Sequence, residues 1–334
     1  MGQKTGNRVF RFEKDIRVAG RGNCVGKIEN EGPLSGTFDH VIPDEYYGKQ
    51  TFEQAETEFQ KTALETAAGR AGLPVRELGL IAGGDLLNQC IASGYCVRNN
   101  GVPFWGLYGA CSTMALSILT AAIAVETGMA RHAAALTSSH FCSAERQYRT
   151  PLEYGGQRPP SAQRTVTAAA CLILAKEGAV RVEQAMLGRV VDFNVTDVFH
   201  MGGAMAPAAA DTLAAFFADT GTAPADFDLI ITGDLGVYGS AILRDLMNQR
   251  GIVLGERYAD CGVMIFDGAR QDTHAGGSGC GCSGAVLTAR VLPEMEKGTL
   301  RNVLFCATGA LMSPTSVMQS QSIPAVAHLI HFTN

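Results

Sequence analysis

Short apolar runs that end in glycine and aspartate occur twice in the chain, each preceded by a helical pattern. Residues 80–86 read Leu-Ile-Ala-Gly-Gly-Asp-Leu and residues 229–235 read Leu-Ile-Ile-Thr-Gly-Asp-Leu, so five of the seven positions are identical. The preceding helical patterns stop at Gly72 and Gly221, and glycine is typical of a helix C-terminus. The two runs and the two glycines share one offset of 149 positions. This regularity predicts an internal duplication.

A second pair of segments repeats in the same order. Residues 126–131 and 296–301 share glutamate, glycine and arginine at an offset of 170, and each lies between an apolar helix and a buried strand. Helices that alternate with short buried strands indicate mainly parallel sheets covered by helices. The helix at residues 112–125 is apolar on every side, which places it in a central layer. We therefore predict a duplicated α/β protein with halves at residues 1–178 and 179–334.

Composition and charge exclude several classes of protein. The chain has 334 residues, of which 46% are hydrophobic, so it can build a large core. A net charge of −5 argues against nucleic acid binding, which needs a basic surface. The first 21 residues lack the apolar core of a signal peptide, and residues 114–125 are better interpreted as a buried helix than as a membrane span. The ten scattered cysteines are expected to be reduced and not to form a zinc site.

Cys111 is the strongest candidate for chemistry. Residues 102–113 read as a strand, a tight glycine turn and the start of a helix. A thiol at a helix N-terminus lies near the positive end of the helix dipole, which favours the nucleophilic thiolate. The alternative is a buried structural cysteine, and the glycine turn favours a cysteine that lines a site.

Asp85 and Asp234 occupy equivalent positions in the two repeats, just after a predicted parallel strand. Ligands of α/β proteins bind at the carboxyl ends of such strands. The alternative is an aspartate that bonds the amides of its own turn. This alternative is favoured for Asp85, and for Asp234 both interpretations stay open on position alone.

Several motifs resemble those of the thiolase superfamily, which includes the ketoacyl synthases. They are Gly-Ala-Cys-Ser at residues 109–112, the glycine-rich loop at residues 275–283 and Ala-Thr-Gly-Ala-Leu-Met-Ser at residues 307–313. Longer runs, at residues 138–148, 154–160, 201–212 and 274–283, resemble the stage V sporulation AD family of spore-forming bacteria. That likeness extends from about residue 20 to residue 332.

The resemblance implies a thiolase-like fold of five alternating layers (αβαβα). It also implies binding of dipicolinic acid, pyridine-2,6-dicarboxylate, possibly with calcium, for its uptake into the forespore during sporulation. The implied partners are other proteins of the dipicolinate transport system, some of them membrane-embedded. A homodimer is expected to form through a strand of the first half, either residues 104–107 or the neighbouring strand. The implied location is the forespore cytoplasm, peripherally at the inner spore membrane.

The chain departs from a working thiolase in ways that argue against catalysis. Cys111 matches the nucleophile, but the place of the catalytic histidine is held by Asp234, whose negative charge cannot stabilise a thiolate or an oxyanion. The loop that carries the asparagine of ketoacyl synthases is replaced by residues 274–282. We predict no catalytic residue, no cofactor and no metal ligand. Two alternatives stay open: an acyl-transferring enzyme that uses Cys111, and an interaction scaffold with an unused pocket.

The predicted site therefore binds a ligand without transforming it. His274 can hydrogen-bond a carboxylate or a ring nitrogen, although it could instead bond the backbone of its loop. Arginines at positions 146, 149, 158 and 164 suit carboxylates bidentately, although they could pair with local glutamates such as Glu145 and Glu153. The predicted ligand-binding residues are Cys111, Asp234, His274, Asp85, Cys282 and Arg146.

Overall fold

The computed structural model describes residues 3–148 and 158–334. The described strands are β1 Gln3–Thr5, β2 Val9–Arg11, β3 Arg17–Gly26, β4 His40–Ile42, β5 Leu80–Gly84, β6 Phe104–Gly106, β7 Ala133–Ser139, β8 Arg164–Thr165, β9 Ala168–Ala175, β10 Val180–Met186, β11 Leu229–Thr232, β12 Tyr258–Asp260, β13 Gly277–Ser278, β14 Asn302–Ala310 and β15 Ala325–Thr333.

The described helices alternate with these strands. They are α1 Phe52–Arg70, α2 Ile91–Val97, α3 Thr113–Thr127, α4 Phe141–Tyr148, α5 Met201–Thr220, α6 Gly236–Gln249, α7 Cys261–Ile265, α8 Cys280–Val286, α9 Leu292–Glu296 and α10 Pro314–Met318. A π-helical segment, Leu287–Val291, joins α8 to α9. Short 3₁₀ turns lie at Glu29–Glu31, Val75–Glu77, Asn88–Cys90, Pro224–Asp226 and Gly255–Arg257.

The two halves of the chain have the same sheet topology. The strands follow the order β6-β5-β7-β9-β3 in the first half and β12-β11-β14-β15-β10 in the second. When only these five strands of each half are numbered 1 to 5 along the chain, both orders read 3-2-4-5-1. The parallel and antiparallel pairs also match, and β3 joins β10 across the middle of one continuous sheet path. The predicted duplication is confirmed.

The repeated sequence segments form the paired central strands of each half. In the first half Leu80 of β5 lies opposite Ala133 of β7, and in the second Leu229 of β11 lies opposite Val303 of β14. These partners are offset by 149 and 170 positions, the two offsets found in the sequence. The first repeat ends with β9 and the second begins with β10, whereas the division at residues 178 and 179 stays a prediction.

Helix positions define five layers. Helix α1 packs on β3 and β9 at one outer face, and α5 packs on β14 and β15 at the other. Helix α3 contacts β5 and β7 of the first half and also β14 and β15 of the second, so it lies between the two halves. Strands β7 and β9 are buried along their whole length, as expected for strands covered on both faces. The five-layer α/β fold predicted from the sequence is confirmed.

Local sequence explains where the helices begin and end. Thr51 caps α1 by accepting a hydrogen bond from the Gln54 amide, and Gly221 ends α5 in the left-handed conformation with φ of 68°, which glycine adopts without strain. One segment, Ala110–Thr127, is long and apolar enough to cross a membrane by length and composition, and 72% of it is buried inside the fold.

Candidate functional site

Cys111 lies in a tight turn between β6 and α3. Ala110 adopts a left-handed backbone conformation with φ of 49°, which is uncommon for a residue with a side chain. Two hydroxyl groups hold the turn, because Ser112 Oγ donates to the Gly109 carbonyl at 2.6 Å and Thr113 Oγ1 donates to the Ala110 carbonyl at 2.6 Å. The turn fixes Cys111 at the start of the central helix, where the sequence predicted it.

Asp234 lies in the turn between β11 and α6 of the second half, which corresponds to the Asp85 turn of the first half. The buried carboxylate of Asp260 accepts hydrogen bonds from the amides of Leu235 and Gly236, both at 2.9 Å, and from Thr232 Oγ1 at 2.7 Å. The same carboxylate caps α7 by accepting from the Val263 amide at 3.2 Å. Asp260 therefore positions the turn that carries Asp234.

The Asp234 carboxylate is fully buried and meets four donors. It accepts hydrogen bonds from the Gly279 amide at 2.8 Å, from Thr308 Oγ1 at 3.0 Å and from Ser278 Oγ at 3.3 Å. The fourth donor is the thiol of Cys111. The structure thus brings together two residues that are far apart in sequence and that were predicted to share one site.

Burial controls the protonation of this pair. It raises the pKa of the Cys111 thiol well above its usual value, and the neighbouring charge of Asp234 raises that pKa further. The helix N-terminus was expected to favour the thiolate, and this expectation is wrong because loss of water and a buried carboxylate outweigh the helix dipole. Burial also raises the pKa of Asp234 to about 7, against the hydrogen bonds that lower it. Burial and the neighbouring carboxylate therefore favour the protonated thiol of Cys111.

A small cavity opens beside Cys111. It has a volume of about 50 Å³, enough for a few water molecules. Its apolar walls include three methionines and are formed by Leu86, Ala110, Ala144, Ala310, Met201, Met205 and Met312. Its polar lining consists of Cys111, Thr165, Ser278, Glu145, Tyr108 and Tyr148.

The polar lining carries no positive charge in the described part of the chain. Glu145 is the acidic residue on the wall, and the hydroxyls of Tyr108 and Tyr148 lie 3.1 Å apart. Over residues 3–148 and 158–334, no group of three or more histidine, cysteine, aspartate or glutamate side chains is arranged to hold a metal ion. The described site is therefore an apolar cavity with hydroxyl and thiol groups at its base.

Two further predicted residues lie near this site without lining it. Asp85 accepts hydrogen bonds from the Leu87 amide at 2.9 Å and from the Ser93 amide and hydroxyl at 2.8 and 2.6 Å. It caps its own turn, which is the alternative favoured from the sequence. Cys282 is buried in α8, and its thiol lies 3.9 Å from the Gly233 carbonyl behind the Asp234 turn.

The structure does not bring His274 or Arg146 to the cavity. His274 has a left-handed backbone, with φ of 49°, and its Nε2 lies 2.8 Å from the exposed carboxylate of Asp272. Arg146 pairs with Glu53. Local partners explain both, because exposed side chains pair with what lies nearest to them in the folded chain.

Local contacts also hold two of the other loop arginines. Arg158 donates to the Asp272 carbonyl at 2.7 Å, and the Arg164 guanidinium lies over the Phe141 ring at 3.7 Å. Arg149 and Glu153 lie outside the described residues. The described arginines therefore support the alternative of local pairing.

Sequence reasoning missed several residues that build the site. Ser278 lines the cavity and donates to Asp234, Thr308 donates from β14, and Asp260 holds the turn. Ser278 belongs to the glycine-rich loop at residues 275–283, and Thr308 belongs to the motif at residues 307–313. Both segments were singled out in the sequence, but the roles of these two residues were not predicted. The cavity-lining role of Met201, Met205 and Met312 was not predicted, because an apolar residue at a helix start or in a loop is usually part of the core.

Solved structures with the same fold define the class of protein. The fold is similar to that of 3-oxoacyl-[acyl-carrier-protein] synthase III from Aquifex aeolicus VF5, with a TM-score of 0.57 and 12% identity over 96% of this chain and 100% of that chain. It is also similar to cerulenin-bound Xanthomonas campestris OleA, with a TM-score of 0.60 and 15% identity over 97% of this chain and 98% of that chain. The chain has a thiolase-like fold.

Sequence comparison identifies the family within this class. The family described as Stage V sporulation protein AD matches residues 6–333. Stage V sporulation protein AD of Bacillus subtilis (strain 168) is 39% identical over 329 residues, which cover 98% of this chain and 97% of the relative. The chain belongs to the stage V sporulation protein AD family.

Proposed function

We propose that this protein binds dipicolinic acid in the cavity beside Cys111, without transforming it, and serves the uptake of that compound into the forespore. The hydrogen bond from the Cys111 thiol to the buried Asp234 carboxylate is the observation that carries the proposal. It places the Cys111 sulfur at the cavity wall and opposes the thiolate on which thiolase chemistry depends.

The Cys111–Asp234 pair argues against acyl transfer. A cysteine nucleophile reacts as the thiolate, and a neighbouring carboxylate opposes that form. A tetrahedral intermediate would place a second negative charge near Asp234, where oxyanion donors are needed instead. A buried carboxylate at this position therefore disfavours both the start and the course of the reaction.

The apolar walls suit a flat aromatic ring. Methionine sulfur makes favourable contacts with aromatic rings, and methionine side chains adapt their shape to the molecule that they contact. Because the cavity holds only about 50 Å³, a ring enters only if Met201, Met205 or Met312 moves. We infer that the methionine wall repacks around the ligand.

The charge of the ligand favours the calcium complex. Dipicolinate carries two carboxylates, and the described cavity offers hydroxyls, a thiol and the acidic Glu145. Calcium takes oxygen ligands from carboxylates and neutralises their charge. We therefore propose that the ligand is bound as its calcium complex.

The proposed setting is the forespore side of the inner spore membrane, where the protein associates peripherally with other proteins of the dipicolinate transport system. We also propose a homodimer. Strand β6 lies at one end of the sheet path and pairs with β5, and its Trp105 is 41% exposed. An unpaired edge of this kind is suited to pairing with the same edge of a second copy.

Thermal unfolding with and without ligand tests the proposed function. Dipicolinate with calcium chloride is expected to raise the melting temperature, whereas the 3,5-dicarboxylate isomer and acetyl-CoA are not. Because His274 lies off the cavity, Cys111→Ala is expected to weaken binding more than His274→Ala does. A stabilisation by acetyl-CoA together with labelling of Cys111 by the acyl group would favour the alternative acyl-transferring enzyme.

A further inference from the structure

The Asp234 carboxylate lies directly behind the group that a ligand would touch. Cys111 lines the cavity, and its thiol donates a hydrogen bond to the Asp234 carboxylate. A ligand carboxylate that accepts a hydrogen bond at the Cys111 sulfur would therefore lie about 6 Å from the Asp234 carboxylate, the length of two successive contacts. Two buried negative charges at this separation repel each other strongly, because little water screens them.

Over residues 3–148 and 158–334, the groups that bond or face Asp234 carry no positive charge that could relieve this repulsion. Its hydrogen-bond donors are the Gly279 amide and the uncharged side chains of Thr308, Ser278 and Cys111. The described titratable groups that face it from the neighbouring turns and helices, or share its cavity, are carboxyls, thiols and phenols, none of them positively charged: Cys111, Glu145, Asp260, Cys261, Cys280, Cys282, Tyr108 and Tyr148. A proton is therefore the neutralising charge that this buried shell can accept.

We propose that capture of the calcium-free dipicolinate anion in this cavity takes up one proton from solvent and that the Asp234 carboxyl group holds it. This inference rests on the proposed function of the cavity. The proton adds to a carboxylate oxygen of Asp234, whose O–H then donates to the Cys111 sulfur. The S–H of Cys111 turns from Asp234 to the ligand carboxylate. No covalent bond other than this O–H bond forms or breaks.

The same exchange explains why a thiol is suited to this position. A thiol can donate its single proton either to Asp234 or to a ligand, and its sulfur can accept a hydrogen bond in return. Without ligand, the S–H of Cys111 donates its hydrogen bond to Asp234. With ligand bound, the same S–H donates to the ligand carboxylate. The pKa of Asp234, about 7 without ligand, means that this carboxyl is part ionised near neutral pH, so ligand capture responds to pH in that range.

Calorimetry in paired buffers measures the proton directly. Sodium dipicolinate is titrated into the protein, with and without calcium chloride, in phosphate and in Tris at pH 8, because the two buffers differ in ionisation enthalpy. Without calcium, we expect uptake of about one proton per ligand at pH 8 and less at pH 6, where Asp234 is already protonated, and we expect less uptake with the charge-neutral calcium complex. The affinity is expected to fall by up to about tenfold per pH unit above pH 7.

Two variants locate the proton. Asp234→Asn keeps the shape of the side chain and cannot ionise, so its affinity is expected to be independent of pH and its proton uptake to vanish. Glu56→Gln is the matched control, because Glu56 is another buried carboxyl with a raised pKa, about 8, that does not line the cavity. Its uptake is expected to equal that of the unmodified protein.

The outcomes separate this inference from the proposed function. Binding of calcium-free dipicolinate without proton uptake at pH 8, or uptake that persists in Asp234→Asn, would overturn the inference and leave the proposed function standing. The absence of any dipicolinate binding would refute the proposed function itself. Infrared difference spectra of the unmodified protein provide a test that needs no variant: a new protonated-carboxyl band on binding supports the inference, and no such band contradicts it.

Discussion

The thiol of Cys111 donates a hydrogen bond to the buried carboxylate of Asp234, across the junction between the two repeats of the fold. In this arrangement the carboxylate raises the pKa of the thiol, because ionisation of both groups would place two charges side by side without water. Burial and this carboxylate therefore favour the protonated thiol at the residue that matches a thiolase nucleophile.

Alkylation of Cys111 should be slow and should depend on Asp234. We expect iodoacetamide to label Cys111 at pH 8 at least tenfold more slowly than an exposed cysteine, because each unit of raised pKa lowers the thiolate fraction tenfold. Asp234→Asn removes the carboxylate charge and is expected to speed labelling by about tenfold. Peptide mass spectrometry measures the rate, and an exposed cysteine in a short peptide, labelled in the same solution, provides the reference. Fast labelling of the unmodified Cys111 would contradict this view of the site.

Asp260 should contribute strongly to stability through the Asp234 turn. Asp260→Ala leaves the amides of Leu235 and Gly236 without their acceptor, and we expect it to lower the free energy of unfolding by about 3 kcal/mol. Asp226→Ala is the control, because Asp226 accepts from the Ala223 amide at an exposed turn and is expected to cost less than about 1 kcal/mol. Urea denaturation compares the two, and equal losses would show that Asp260 does not hold the turn.

Stability should fall as the pH rises through neutrality. Burial raises the pKa of Glu56 to about 8, of Glu29 and Asp234 to about 7 and of Asp260 to about 6. The folded state therefore holds protons that the unfolded chain releases at lower pH. The resulting stability is fully present below the ordinary pKa of these carboxyls and is lost as the pH rises through the folded values.

Two histidines act in the opposite direction at lower pH. Burial lowers the pKa of His328 and His331 to about 4, so their contribution is present above about pH 6.5 and is lost as the pH falls toward 4. We expect the free energy of unfolding to decrease between pH 6.5 and 8.5, and Glu56→Gln to flatten this decrease by up to about 1.4 kcal/mol per pH unit. Urea denaturation at several pH values measures it, and an increase over this range would contradict the assignment.

The duplication was predictable because its signal is local. Leu80 and Leu229 begin short apolar runs with the same glycine and aspartate pattern, and the same runs become the central strands. Cys111 and Asp234 were both expected at the site because each follows a short parallel strand of its half, and ligands of α/β proteins bind at the carboxyl ends of such strands. The pKa of Cys111 did not follow, because burial depends on neighbours from both halves. His274 was misplaced because its conformation is set by a loop and by Asp272.

The predicted homodimer can be tested at the edge strand. Sedimentation is expected to show a dimer at micromolar concentration, and Trp105→Glu is expected to shift it to a monomer, because a charge at the exposed edge opposes pairing of two copies. Met318→Glu provides the control, since Met318 is 78% exposed in another part of the surface. A monomer without any substitution would contradict the prediction.

Calorimetric titration of dipicolinate into a cavity-filling variant tests whether the ligand binds in the cavity beside Cys111. Ala144 lies on the cavity wall in α4 and is buried, so Ala144→Leu fills the space without removing a polar group. Ala218→Leu makes the same change on the exposed side of α5. We predict that dipicolinate with calcium binds the unmodified protein and Ala218→Leu alike, and that Ala144→Leu binds at least about tenfold more weakly. Equal affinity in all three proteins would place the ligand elsewhere and contradict the account.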